Sequence, residues 1–80
     1  MKVEILTPRK VLFSGEAAEV ILPAEDGEMS VWDFHEPCMC RLKSGKVRLN
    51  GLDLAIRRGM ARADVQGLTV LVETAGQEAA

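Results

Sequence analysis

Residues 46–56 read KVRLNGLDLAI. Val47 and Leu49 alternate with Lys46 and Arg48, and after Asn50-Gly51 the residues Leu52, Leu54 and Ile56 alternate with Asp53 and Ala55. Apolar residues at every second position mark a strand with one face buried. Asn-Gly supplies two residues that accept positive φ, which a two-residue turn between antiparallel strands requires. The segment therefore reads as a β-hairpin.

Its period recurs along the chain. Val3 and Ile5 in KVEIL, Val11 and Phe13 in KVLF, and Ala18, Val20 and Leu22 in EAAEVIL share one parity. So do Cys38, Cys40 and Leu42 in CMCRL, and Leu68, Val70 and Val72 in LTVLVE. Thr7-Pro8, Ser14-Gly15, Asp26-Gly27, Ser44-Gly45 and Gln66-Gly67 punctuate these runs with turn chemistry. No stretch places apolar residues at helical spacing for long enough to form a helix. The expectation is an all-β chain, an antiparallel β-sandwich or flattened barrel of about ten short strands. One domain is expected over residues 1–75, with 76–80 a flexible tail.

Composition narrows the function class. With 80 residues, 48% hydrophobic and 28% charged, the chain is long enough for one small core and too apolar to be disordered. No apolar run reaches the roughly 18 residues of a membrane span, and MKVEILTP lacks the apolar core of a signal peptide. A cytosolic location with reduced thiols is the default expectation. Residues 1–37 hold eight acids against three bases, and residues 38–80 hold seven bases against four acids. Aromatic residues make up 4% of the chain and the pI is about 5.3, a poor match to a nucleic-acid stacking surface.

The densest chemistry is EDGEMSVWDFHEPCMC, residues 25–40. One histidine and two cysteines cannot complete the four-ligand shell of a structural zinc site, so no metal is expected. Cys38 and Cys40 fall on one face of a strand, about 6.5 to 7 Å apart at Cα, and are expected to pack in the core. Neither a thiol–imidazole nucleophile with its orienting group nor a glycine-rich phosphate loop is present, so no catalytic residue and no cofactor is assigned.

The order of segments carries a resemblance. VEILTP, VLFSGE, the strand ending in Leu22-Pro23, EDGEMSV, His35-Glu36-Pro37, LKSGKVRL and LTVLVETA occur here in sequence. Together they resemble the N-terminal domain of the epsilon subunit of F-type ATP synthase, over nearly the whole chain. The resemblance implies a ten-stranded antiparallel β-sandwich and a non-catalytic rotor subunit. Such a subunit packs on gamma and on the c-ring, peripheral to the cytoplasmic face of the bacterial inner membrane. It couples proton or sodium flow to ATP synthesis. By the same resemblance Asp26, Gly27, Glu28 and His35 are expected to face the c-ring, and Thr7, Met39 and Cys40 to face gamma.

Three departures qualify it. The chain ends at Ala80, about where the family's C-terminal helical hairpin would begin, so restraint of hydrolysis by that hairpin is not expected. Residues 30–37 read SVWDFHEP where the family has G-V-L-P-G-H-A-P. Trp32 and Phe34 there are either an extra core plug or a partner anchor. The usual G-G-F is Arg58-Gly59-Met60. A repurposed free-standing β-module, binding another protein or a nucleic acid, is the alternative.

Overall fold

The computed structural model describes residues 1–32 and 37–74. They form eight strands: β1 (Lys2–Leu6), β2 (Val11–Glu16), β3 (Glu19–Ala24), β4 (Gly27–Trp32), β5 (Cys38–Leu42), β6 (Gly45–Leu49), β7 (Leu52–Asp64) and β8 (Gly67–Thr74). No helix occurs among the described residues.

The hairpin forms as its residues dictate. Val47 pairs with Leu54, Arg48 with Asp53 and Leu49 with Leu52. Asn50 and Gly51 take φ of 49° and 78°. Asn50 also donates from Nδ2 to the carbonyl of Glu16 at 2.8 Å, tying the turn to β2.

The strand order is β2-β1-β8-β7-β5-β3-β4, with β6 pairing β3 and β7. β7 holds this arrangement together. Its first half pairs with β6, and its second half lies between β5 and β8. Between Ile56 and Arg58 the ladder to β8 slips by one residue, so Arg57 is a bulge. A bulge bends and twists its strand, which lets one thirteen-residue strand serve both layers of the sandwich. Gly59 follows directly, because a Cβ there would stand 2.5 Å from the Leu71 carbonyl oxygen. All neighbouring strands run antiparallel except β1 and β8, which pair in parallel through Val3–Leu68 to Leu6–Leu71.

The core lies between the layers. Val3, Ile5, Ala61, Ala63, Leu68, Val70 and Val72 meet Val20, Leu22, Val31, Val47 and Leu49, all buried. A fully buried Val, Leu or Ile side chain contributes about 1.5 to 3 kcal/mol relative to exposure, so this cluster is the main driving force of a chain without disulfides.

Four expectations of inward packing fail: Leu52, beside the Asn50-Gly51 turn, is exposed, and three others fail for local reasons. Val11 is exposed, because the β1–β2 ladder slips between Ile5 and Leu6. Ile5 pairs with Phe13 but Leu6 pairs with Val11, which shifts Val11 to the outer parity. Ala17, and not Ala18, is buried. Its N–H donates to the Met1 carbonyl at 3.0 Å and its carbonyl accepts from the Met1 ammonium at 2.8 Å, which clamps it ahead of β3. Cys38 is exposed rather than in the core. It is the first residue of β5, and of the two cysteines only Cys40 packs against the core cluster.

Candidate functional site: a recess and an apolar face that share β5

Glu25-Asp26 closes the β3–β4 hairpin, with Ala24 paired to Gly27 and Gly27 at φ 128°. Backbone bonds lean this turn against β5. The Glu25 N–H donates to the Arg41 carbonyl at 3.1 Å, and the Lys43 N–H donates to the Pro23 carbonyl at 2.8 Å. β5 itself pairs with β3 only through Ala24–Leu42, so the strands diverge above that point. The divergence leaves a recess of about 470 Å³. Asp26, Gly27 and Glu28 line one wall; Met39, Cys40 and Arg41 line the other. Asp26, Gly27 and Glu28, which the resemblance assigned to the c-ring, and Met39 and Cys40, which it assigned to gamma, thus line one recess. Burial, with the neighbouring Cys38 adding to it, pushes the Cys40 thiol up.

Thr7 stands elsewhere, at the end of β1. It is buried, and its Oγ1 accepts from the N–H groups of Arg9 at 3.2 Å and Lys10 at 3.1 Å. Its N–H donates to the Lys10 carbonyl at 2.9 Å. Thr7 therefore fixes a turn that presents Pro8, Arg9 and Lys10, which are exposed.

A second feature was missed in the sequence. One cross-strand row on the outer face runs Arg41–Met60–Leu71–Leu6–Val11 across β5, β7, β8, β1 and β2. At about 4.8 Å per strand it spans roughly 19 Å. Met60 is 39% exposed, Leu71 53% and Val11 57%. Beside it lies a second hollow of about 470 Å³ lined by Pro8, Arg41, Met60 and Leu71, with the Arg58–Glu73 ion pair (3.0 Å) at its border. Exposed Met39 stands next to Arg62 on the same outer face. Contiguous apolar surface of this kind marks an interaction face. The legible signal was Leu71 in LTVLVE, an apolar residue on the parity opposite to Leu68, Val70 and Val72.

Trp32 is 58% exposed at the end of β4, so it is no core plug. Phe34 and His35 lie outside the described residues. Among the described residues no group of three or more His, Cys, Asp or Glu is placed to hold a metal.

The family model described as ATP synthase, Delta/Epsilon chain, beta-sandwich domain matches residues 1–78. The chain belongs to this family. The ATP synthase epsilon chain of Chromobacterium violaceum is 36% identical over 81 residues, covering 94% of this chain and 58% of the relative. The epsilon chain of Xanthomonas oryzae pv. oryzae is 39% identical over 80 residues, covering 94% and 57%. The chain thus spans somewhat more than half the length of the epsilon chains it matches.

Solved structures agree on the fold. A chain in the central stalk/c-ring structure of Tetrahymena thermophila mitochondrial ATP synthase superposes with a TM-score of 0.79 at 12% identity, covering 91% of this chain and 63% of that one. A chain of the Euglena gracilis mitochondrial ATP synthase OSCP/F1/c-ring structure gives 0.72 at 22% identity, covering 90% and 48%. The β-sandwich expected from the alternation is therefore the fold of the epsilon N-terminal domain.

Proposed function

We propose that this chain is a non-catalytic central-stalk subunit of an F-type ATP synthase, which packs on gamma and on the c-ring and helps couple proton or sodium flow to ATP synthesis. The observation that carries the reading is family membership over residues 1–78. The surface is consistent with two such contacts. The apolar row through Met60 and Leu71 offers a dry face of the kind a stable protein partner covers. The Asp26-Gly27-Glu28 turn offers carboxylates to polar or basic loops of a ring.

On this reading gamma lies over the outer face of β5, β7, β8 and β1, where Met39 sits and toward which the turn fixed by Thr7 projects. Cys40 supports that strand from beneath. The c-ring meets the β3–β4 turn, with His35 assigned to the same contact by resemblance alone. Trp32 and Phe34 serve as anchors at the rotor junction. The subunit is peripheral, on the cytoplasmic face of a bacterial inner membrane, and it needs no cofactor.

Adding the purified chain to membrane vesicles whose ATP synthase has been stripped of its epsilon chain tests the reading. ATP synthesis driven by the ion gradient should recover. Failure to recover it at saturating protein would overturn the assignment.

A further inference from the structure

Cys38 does not pack in the core, and this reopens the question of what the two thiols do. Both belong to β5 and, two residues apart, share its inner face. Their cross-strand neighbours on β7 are Ala63 and Ala61, whose methyl groups leave room beside the sulfurs. On the other side β5 meets β3 only at Leu42, so Cys40 borders the open recess and Cys38 stands exposed at the start of the strand. Met29, which like Cys40 packs against the core, lines the same recess.

Spacing decides which chemistry fits. Positions two apart on a strand lie about 6.6 Å apart at Cα, near the upper limit of about 6.8 Å for a disulfide. β5 is pinned residue by residue to β7 from Cys38–Ala63 to Leu42–Gly59, so it cannot readily shorten. Two thiolates bridged by one ion need less: two metal–sulfur bonds of about 2.3 Å set the sulfurs some 4.6 Å apart. Side chains that point the same way and lean toward each other reach that separation. Zinc would need two more strong ligands, and the described residues offer no such group.

We propose that Cys38 and Cys40 form a two-thiolate clamp for a soft two-coordinate ion of the Cu(I) class, with the Met29 thioether as a weak neighbouring donor. Binding replaces both thiol protons with one monovalent ion, two protons leave for solvent, and the site gains one negative charge. Arg41 is the cation that lines the recess beside it. The proposal stands apart from the stalk reading.

The test is an anaerobic titration of the reduced protein with Cu(I) against a chromophoric chelator such as bicinchoninate, with thiols counted by an aromatic disulfide reagent. One Cu(I) per chain is expected, with both thiols protected together. Cys38→Ser and Cys40→Ser should each weaken binding on the order of a hundredfold, since a single thiolate loses the chelate. Cys38 is exposed, so Cys38→Ser keeps its fold, which a melting curve verifies. Single-thiol variants that hold copper as tightly as the parent, copper entering as two independent ions, or zinc binding of equal strength would each overturn the clamp.

Discussion

The main-chain N–H of Glu25 donates to the carbonyl of Arg41 at 3.1 Å. This bond joins the acidic β3–β4 turn to a strand whose outer face begins the apolar row at Arg41. A load applied to the turn is thereby passed to β5 through backbone, and not through flexible side chains. On the proposed reading, with the turn on a ring and the outer face on a stalk, that rigidity is the useful property.

Glu28 is exposed on the turn side of the recess, whereas Glu16 is exposed at the end of β2, where it faces the Met1 ammonium at 3.5 Å. Surface ion pairs contribute about 0 to 1 kcal/mol, so neither charge reversal should unfold the chain. Glu28→Lys should lower gradient-driven ATP synthesis in membrane vesicles more than Glu16→Lys does. Equal effects would remove Glu28 from the ring contact.

Leu71→Asp places a charge in the middle of the apolar row. Burying a charge against a dry partner face, together with the lost apolar contact, should weaken gamma binding by about 1.4 to 3 kcal/mol, or roughly 10- to 150-fold. Val65→Asp, at the exposed tip of the β7–β8 turn, is the control and should bind normally. Calorimetric titration of each variant with gamma distinguishes them; parity between the two variants would place gamma elsewhere.

Gly59→Ala forces a methyl group against the Leu71 carbonyl oxygen and within 3.0 Å of the Val72 side chain. Overpacking at a pinned backbone costs about 1 to 3 kcal/mol. The midpoint of urea unfolding should fall with an unchanged slope. An unaltered midpoint would mean that β7 and β8 are not held as close as described.

Asp64 accepts from the N–H of Gln66 at 2.8 Å and of Gly67 at 3.3 Å, closing the β7–β8 turn. The Gln66 N–H is the main influence holding its carboxyl below the usual range, and Arg62 at 3.4 Å acts in the same direction. A carboxyl with a lowered folded-state pKa stabilises above its unfolded value and loses that contribution as pH falls through the folded value. Asp64→Ala should therefore melt below the parent at neutral pH, and the gap should close on acidification. A gap that is constant with pH would rule out the charge.

Much of this was legible in the sequence, for reasons that differ by residue. Asn50-Gly51 announced its turn because few residue pairs accept that geometry. Val3, Ile5, Val20, Leu22, Val70 and Val72 announced the core because alternation is all a half-buried strand requires. What alternation cannot carry is a slip in register. One bulge after Ile5 turned Val11 outward and aligned it with Leu6, Leu71 and Met60, residues from four separate strands whose adjacency exists only in the folded ladder. Cys38 was misplaced for a related reason, since parity says which way a side chain points but not whether anything stands opposite. The recess was hidden as well, because Glu28 on β4 and Cys40 on β5 come to line it only where the β3–β4 hairpin touches β5 at a single pair.

The central claim is a stalk subunit that docks on gamma. The most direct measurement is the mixing of the purified chain with the gamma subunit of the same ATP synthase, followed by size-exclusion chromatography with light scattering. A one-to-one complex that persists at about micromolar concentration is the predicted result. Two separate peaks at tens of micromolar or so, with both proteins folded, would contradict it.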